Sequence, residues 1–472
     1  MITFQDYEES KGDVTGFISR AITDHVGSEM FRVAVDADAY DHQQNTTINS
    51  YVRMIFSLTG QPIEDFTASN NKIASNFFHR LNTQRNMYSL GNGVSFTDHK
   101  EDRMEDGVSV THDLTDEFFG DDFDTKIKKL GYYSLIHAVA FGFWNVDRLH
   151  VFPLTQFVPL WDEYSGALRA GIRFWRLHPE KPMIAVFYEE DGYTKFKSED
   201  ADLSFTMMES KKNYRTTVRV SEADGEEVIG ESNYSGKLPI IPMWGSNLKQ
   251  STLIGMKQKI DSFDLIRSGF ANDLTDCAQI YWIIENCGGM TDAELARFRD
   301  RLKINHIAVA DTDNSSVTPY TQEIPYQARK EYLDHIRAGI YEDFGGLDVH
   351  TIAAGATNDH IDAAYQPMDE EADDYEYQVT EFIHQLLALV GIEDNPVFKR
   401  NRISNQTEQT QMVLSAAQYL DDETILQKLP FISVDEVANI LARRDAENAG
   451  RFDLDEEEED EAPDEETFVE EE

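Results

Sequence analysis

Apolar residues recur every three or four positions over one long stretch, from Ser251 to Glu285, which contains no proline. They are Leu253, Met256, Ile260, Phe263, Ile266, Phe270, Leu274, Cys277 and Tyr281. This spacing places them on one stripe of an α-helix that would run for roughly 50 Å. Pro239 and Pro242 exclude helix before the stretch, and Gly288-Gly289 ends it. We therefore predict a long strut whose apolar seam packs against a neighbouring element, in the same subunit or in another.

The same periodicity predicts further helices, with loops between them. The predicted helices are Ile73–Tyr88, Lys126–Phe143, Ala328–Phe344, Met368–Val390, Gln406–Leu420, Asp422–Leu429 and Ser433–Ala449. Residues 1–50 are polar and mixed, with one amphipathic piece at Phe17–Val26. Residues 95–125 and the glycine- and alanine-rich stretch Gly345–Gln366 are predicted as loops.

Short runs rich in β-branched and aromatic residues follow one another between residues 151 and 229. They are Val151–Leu160, Gly166–His178, Pro182–Glu189, Tyr193–Lys197, Ser204–Met208, Tyr214–Val220 and Glu227–Ile229. Turn residues separate the runs, and Glu190-Asp191-Gly192-Tyr193 favours a hairpin. This region predicts an antiparallel sheet, and Gly236–Pro242 predicts an extended edge after it.

A small insert separates the long helix from the next one. Thr291-Asp292-Ala293-Glu294 is a capping box that predicts a short helix ending near Leu302. A predicted strand, Ile304–Ala310, and a second extended piece reaching Ile324 complete this αβ insert. With these helices and strands together, we predict the α+β class.

Negative charge dominates the composition of this 472-residue chain, whose formal net charge is −45. Residues 452–472 hold 14 acidic residues and no basic one, and we predict that this tail is disordered. Residues 1–451 still carry 31 net negative charges. Such a surface does not bind nucleic acid by neutralising phosphates, although a negative wall can surround a polyanion without trapping it. Solubility or a salt-rich host explains the acidity equally well.

The composition also indicates the cellular compartment in which the protein folds. No apolar stretch approaches the roughly 18 residues that span a membrane, and the start of the chain lacks the pattern of a signal peptide. Cys277 and Cys287 would lie about 15 Å apart on a helix, too far for a disulfide. We therefore expect a reducing compartment.

The sequence contains no established catalytic motif. A P-loop, HExxH, CxxC and GxSxG are all absent, and Gly91-Asn92-Gly93 is better interpreted as a helix stop than as a phosphate loop. The strongest carboxylate pair for a glycosidase is Asp162-Glu163, between Trp161 and Tyr164, but a surface turn explains it more simply. We therefore expect no enzymatic activity, no cofactor and no metal.

The order of several loose motifs resembles the portal proteins of tailed bacteriophages, in the branch that infects Gram-positive bacteria. The resembling segments are Asn71–Phe77 with Tyr88–Gly91, His137–Asp147, Leu238–Asn247, Lys259–Leu265 and Gln406–Ala449. Together they cover roughly residues 70–450. Their order along the chain is the specific part of the resemblance.

The resemblance implies a portal-type fold with long stem helices, a mixed α/β wing, a small αβ clip and a helical crown. Its parts are a wing (1–247 and 367–399), stem helices (248–275 and 326–344), a clip (276–325), a channel loop (345–366), a crown (400–451) and the acidic tail (452–472).

The resemblance also implies a function without catalysis. Such proteins form a ring, usually of twelve copies, at one vertex of the capsid, and double-stranded DNA passes through it without sequence-specific binding. The implied partners are the terminase large subunit, the scaffold, the major capsid protein and a head-completion or adaptor protein. The expected location is the virion, after assembly in the host cytoplasm, with no membrane contact.

Three sets of residues follow as candidate sites from the seam and the resemblance together. The oligomer seam comprises Leu253, Met256, Ile260, Phe263, Ile266 and Phe270. The channel loop contains Gly345, Gly346, His350, Gly355, Asn358 and His360. The motor-binding residues of the clip are Glu294, Arg297, Asp300 and Arg301. Two alternatives stay open at this point, another structural or connector protein of the phage head and a carbohydrate-active hydrolase.

Overall fold

The computed structural model describes most of the chain. It covers residues 2–56, 60–65, 69–105, 108–199, 203–221, 225–277, 281–285, 316–320, 326–351, 357–402 and 406–429, and single positions between 291 and 444. Within these residues the fold mixes helices and antiparallel strands, which confirms the predicted α+β class.

Four helices fill the first fifty residues, where the sequence had indicated one amphipathic piece. They are α1 (Phe4–Glu9), α2 (Val14–Gly27), α3 (Glu29–Asp41) and α4 (Thr46–Ser50). Each begins at a polar N-cap whose side chain accepts a backbone hydrogen bond; the caps are Thr3, Asp13, Ser28 and Asn45. The indicated piece is α2, whose Phe17, Ile18 and Ile22 are buried, whereas polar caps begin the three short or polar helices that the composition did not reveal.

A short antiparallel pair, β1 (Met54–Phe56) and β2 (Pro62–Glu64), comes next, followed by helix α5 (Phe77–Leu90). The loop predicted for residues 95–125 is wrong over most of its length. It contains β3 (Val94–Phe96), β4 (Lys100–Glu105), β5 (Val108–Asp113) and α6 (Leu114–Phe119). Aspartates explain the local order, because Asp113 caps α6 and Asp394 accepts the backbone N–H groups of Thr97 and Asp98.

Helix α7 (Phe123–His137) ends earlier than the sequence predicted. Ala138 adopts a φ of 75°, and the chain continues as β6 (Val139–Asn145). Strand β6 is the middle strand of a three-stranded sheet, between β7 (Arg148–Pro153) and β15 (Ile240–Trp244). Because nearly every residue of β6 is buried, its apolar run does not alternate, and periodicity cannot distinguish it from helix.

The predicted antiparallel sheet is confirmed. Five strands lie in the order β12-β11-β10-β9-β8. Their bounds are β8 (Phe157–Trp161), β9 (Leu168–Trp175), β10 (Met183–Glu189), β11 (Gly192–Ser198) and β12 (Thr206–Lys212). Glu189 pairs with Gly192 across the predicted hairpin turn. A separate pair, β13 (Arg215–Ser221) and β14 (Gly225–Ser232), completes the strand-rich region.

The long helix, α8 (Thr252–Cys277), is shorter than its apolar pattern indicated. Residues 281–285 form strand β16 (Tyr281–Glu285), which pairs antiparallel with β17 (Ser316–Tyr320). Tyr281-Trp282-Ile283-Ile284 is an aromatic and β-branched run that fits a pleated strand, and this outweighs the coincidental helical spacing of Cys277 and Tyr281. Most of the predicted αβ insert, including Cys287, lies outside the described residues.

Two more long helices follow, α9 (Tyr326–Phe344) and α10 (Asn358–Val390). Part of the loop predicted for Gly345–Gln366 is therefore helical. Thr357 caps α10, and Ile361 and Tyr365 are buried, so an apolar face begins well before Met368. Pro367 lies inside α10 and removes one backbone donor, which the burial of this face outweighs. The chain then forms β18 (Pro396–Phe398), α11 (Gln406–Ala416) and α12 (Asp422–Lys428).

The largest hydrophobic core lies between α7, the three-stranded sheet and α10. Its central side chains include Phe141, Trp144, Phe152, Phe382 and Leu386. A second core packs α1 and α2 on the five-stranded sheet. A third joins α5, α8 and α9, so the first part of the long helix is fixed to the body of the molecule.

Candidate functional site

Helices α8 and α9 run antiparallel; along the chain, β16 follows α8 and β17 precedes α9. Lys259 Nζ donates to the carbonyl of Gly339 at 3.1 Å, and Ser262 Oγ lies 3.2 Å from the hydroxyl of Tyr332. Farther along, Arg329 forms an ion pair with Asp273. Later residues of α8 contact earlier residues of α9 in these three pairs. The two helices therefore pack antiparallel along their length and form a rod.

The six residues of the predicted seam have two different environments. Leu253, Met256 and Ile260 are buried within this chain, against Ile340 and other residues of α5 and α9. The Phe263 ring stands edge-on to Phe77 at 5.0 Å, whereas Ile266 and Phe270 are half-buried. The first three residues are therefore covered by their own subunit and are not available to a second one.

A ladder of polar side chains on α8 holds the extended segment Asn71–Ser75. Asp264 Oδ1 accepts the backbone N–H of Ser75 at 2.9 Å, and Ser268 Oγ accepts that of Ile73 at 3.0 Å. Asn272 Oδ1 accepts the N–H of Asn71 at 2.6 Å. The three acceptors are four residues apart on the helix, a rise of about 6 Å, and the three N–H groups are two residues apart on the extended segment, a rise of about 6.6 Å. Because the two spacings nearly match, all three hydrogen bonds form side by side.

The ladder explains why two of the resembling motifs occur together. Asp264 Oδ2 also accepts from Asn45 Nδ2 at 2.8 Å, and Asp261 accepts from Thr47 Oγ1 at 2.8 Å. Burial raises the pKa of the Asp264 carboxyl, although its hydrogen bonds act in the opposite direction. The two aspartates of Lys259–Leu265 thus tie α8 to α4 and to the Asn71–Ser75 segment. Sequence reasoning missed the ladder, although its four-residue polar spacing was visible.

The start of the predicted channel loop is anchored to α5. Gln84 Nε2 donates to the carbonyl of Leu347 at 3.0 Å, and Gln84 Oε1 accepts the N–H of Leu347 at 3.1 Å. Arg85 donates to the carbonyl of Phe344 and stacks over its ring at 4.2 Å. Gln84 and Arg85 were absent from the predicted site residues, because no local pattern reveals contacts that span about 260 positions.

Gly345 and Gly346 allow this close approach. Gly345 has a φ of 66°, and a Cβ on Gly346 would lie 2.5 Å from Leu81 Cδ2. The other predicted loop residues are spread out. His350 is exposed in a short 3-10 turn, and Asn358 and His360 lie in the first turn of α10. Gly355 lies outside the described residues.

Two arginines attach the segment after β18 to α10. Arg400 forms ion pairs with Asp369, Asp373 and Glu376, and Arg402 pairs with Asp362 and Asp369. Burial alone would raise the pKa of Asp369, but hydrogen bonds from Tyr88 and both arginines outweigh it and lower the pKa. This network fixes the chain where it leaves the long helix.

For the four predicted motor-binding residues of the clip, the structure describes little. Arg297 is exposed, while Glu294, Asp300 and Arg301 lie outside the described residues.

Asp162, from the proposed glycosidase pair, accepts hydrogen bonds from the N–H and hydroxyl of Ser165 at 2.7 and 2.8 Å. These bonds lower its pKa to about 2, and Tyr164 beside it is 91% exposed. Asp162 therefore stabilises a surface turn, which argues against the hydrolase alternative.

The described residues contain neither a membrane-spanning helix nor a cluster of metal-ligating side chains. None of the helices in these ranges is long and apolar enough to cross a bilayer. In the same ranges, no three His, Cys, Asp or Glu side chains are grouped so that they could hold a metal ion.

Comparison with known proteins agrees with the family that the order of the motifs indicated. The chain is 24% identical over 408 residues to the portal protein of Bacillus phage SPP1, covering 80% of this chain and 77% of that one. It is 28% identical over 214 residues to the portal protein of Clostridium phage phiCD119, covering 43% of this chain and 48% of that one. The family model described as "Phage portal protein, SPP1 Gp6-like" matches residues 22–451. The chain therefore belongs to the SPP1 Gp6-like family of phage portal proteins, a family of structural proteins of the virion and not of enzymes.

Proposed function

We propose that this chain is the subunit of a ring that forms the DNA channel at one vertex of a phage capsid. The observation that carries the proposal is the family match over residues 22–451, which spans the rod, the sheets and the long helix together. DNA enters through this ring during packaging and leaves through it during ejection. The twelve copies usual for the family are the expected number.

The described geometry supports a division of labour along the chain. The antiparallel rod of α8 and α9 serves as the stem, and β16 and β17 lead into the clip. The cores around the sheets and α10 form the wing, and α11 and α12 belong to the crown. The boundaries proposed are those given by the resemblance, with stem helix α8 extending to Cys277.

Charge supports a conduit for DNA. Residues 1–451 carry 31 net negative charges, so a channel lined by such chains repels the phosphate backbone instead of binding it. The segment after Phe344 is the proposed channel loop, with Gln84 and Arg85 fixing its start. The clip, with Glu294, Arg297, Asp300 and Arg301, is proposed to bind the terminase large subunit and later a head-completion protein. The crown is proposed to face the scaffold and the major capsid protein.

Electron microscopy of the purified protein in negative stain tests the proposal directly. Rings with a central hole, and the same rings at one vertex of particles, are the expected result. Another structural protein of the phage head is the remaining alternative, and it predicts particles with this chain at many sites or with no ring. A chain that is monomeric both in solution and in virions would refute the proposal.

A further inference from the structure

Two segments of this strongly acidic chain are nearly free of acidic residues. No Asp or Glu stands between Asp41 and Glu64, and none stands between Asp65 and Asp98. Residues 42–97 therefore carry four Lys or Arg against two acids, and residues 246–272 also carry four against two. The rest of the chain consequently holds all of the net negative charge.

The fold brings these two segments together on one side of α8. They line a common cleft of about 320 Å³, whose walls include Ile48, Tyr51, Lys72, Leu265 and Ile266. The two acids of the second segment point away from solvent or are engaged: Asp264 is buried, and Asp261 is hydrogen-bonded to Tyr40 and Thr47. Asp273 on the cleft wall is paired with Arg329, and residues 51–64 carry one acid, Glu64, against one base, Arg53. The surface around the cleft therefore has little net negative charge.

This surface also exposes large apolar side chains. Phe56 is 78% exposed and Met54 53%, and Tyr51, Ile63 and Leu265 are exposed as well. Strands β1 and β2 pair only with each other among the described strands, and a lone two-stranded sheet is marginally stable in water. Exposed apolar groups concentrated on one surface mark an interaction site. We call the surface formed by residues 51–56, 60–64 and Leu265 the shoulder.

We propose that the shoulder is where one subunit binds the next copy of the same chain, a role that rests on the proposed ring. A ring is built from heterologous contacts, in which one face of a subunit meets a different face of its neighbour. Because the remainder of the chain is acidic, two copies repel each other unless one of the meeting faces is poor in acids. The shoulder supplies such a face, with apolar area to bury.

A nucleic-acid ligand fits the shoulder less well. Phosphate binding requires several lysines or arginines that are available to the backbone. On this surface Lys72 donates to the carbonyl of Asn49, and Arg329 beside the cleft is paired with Asp273. Its exposed groups are mainly apolar, which favours a protein partner.

The experiment compares Phe56→Asp and Leu265→Asp with Leu177→Asp in the full-length protein. Leu177 is 87% exposed but lies outside the shoulder, so its variant controls for an added charge at an apolar surface position. Sedimentation velocity over a concentration series measures ring formation, and thermal melting of the subunit checks the fold. The shoulder variants should raise the concentration for half-assembly about tenfold or more, which is about 1.4 kcal/mol per contact or greater. Their melting temperature and the assembly of Leu177→Asp should match the unmodified chain.

If the purified chain stays monomeric, incorporation of the same variants into particles replaces sedimentation as the measurement. Rings that form equally well with Phe56→Asp and Leu265→Asp overturn the shoulder while leaving the portal function intact. Loss of DNA binding, instead of assembly, in these variants overturns it in favour of a nucleic-acid surface. An unmodified chain that forms no ring even in virions refutes the proposed function itself.

Discussion

The two halves of helix α8 carry the same apolar periodicity but use it differently. In the first half, Leu253, Met256 and Ile260 are buried in the core that joins α5, α8 and α9. In the second half, Leu265 and Leu274 are exposed, and the contacts with the body are the polar rungs at Ser268 and Asn272. An apolar stripe therefore shows that a helix needs cover, but it does not show whether the cover comes from the same subunit.

The difference arises from what lies beside each half. The first half crosses α5 and the end of α9, whose Ile340 and Phe344 complete the core. The second half has α9 and the extended segment Asn71–Ser75 alongside it. Burial of apolar side chains is thus concentrated in the first half, and the second half retains exposed apolar surface at Leu265 and Leu274.

The sharpest test of this contrast is to remove the same side chain from each half. Leu253→Ala deletes a fully buried side chain, and we expect the free energy of unfolding to fall by about 2–5 kcal/mol. Leu265→Ala removes an exposed side chain and should change it by less than about 0.5 kcal/mol. Urea denaturation of the subunit measures both. Equal effects of the two substitutions would show that the halves do not differ as described.

Among the rungs of the polar ladder, loss of the one at Asp264, where the two halves of α8 meet, should lower the free energy of unfolding most. Asp264→Ala leaves the amide of Asn45 and the N–H of Ser75 without their acceptor, at an expected cost of about 2–3 kcal/mol. Asn272→Ala removes the outer rung, whose buried side chain accepts one backbone N–H of this segment, and should cost about 1 kcal/mol. Hydrogen exchange at the amides of Ile73 and Ser75 reports the same loss locally. Unchanged exchange in Asp264→Ala would contradict the ladder.

The anchor of the proposed channel loop offers a matched pair of substitutions. Gln84→Ala removes both bonds to Leu347 and should cost about 1–2 kcal/mol, with faster exchange of the Leu347 amide. Gln84→Glu keeps an acceptor for that amide but loses the donor to the Leu347 carbonyl, so its effect should be smaller. Exchange that stays slow in Gln84→Ala would show that the loop is held by other contacts.

The smallest expected effect is a pH dependence from Asp264. Burial raises its folded pKa above the ordinary value of 3.8, so the folded state binds a proton more readily than the unfolded state. The cost of burying the charge is therefore absent below pH 3.8 and appears as the pH rises through the folded pKa. Relative to Asp264→Asn, the unmodified chain should gain stability as the pH falls through this window. The lost bond from Asn45 shifts the variant's whole curve without changing its slope. Parallel stability curves would contradict the raised pKa.

The pattern of apolar and polar residues predicted correctly those helices and strands that are buried on one face and exposed on the other. The alternating strand β11, the turn at Asp191-Gly192 and most helix positions from Phe77 onward follow from side-chain periodicity and turn chemistry. It failed for β6 and for β16, because a strand that is buried on both faces, or that is aromatic and short, has no alternation to distinguish it from a helix.

The sequence by itself determined the helical character of α8 and α9, the acidic composition, the antiparallel sheet and the resemblance to portal proteins. Only the tertiary structure decided which seam residues are covered, where α10 begins, and that Gln84 and the ladder on α8 hold distant backbone. These contacts join positions about 190 to 260 residues apart, between Ser75 and Asp264 and between Gln84 and Leu347. Periodicity shows which face of a helix or strand is apolar and will be buried. Which residues pack against that face depends on how the whole chain folds.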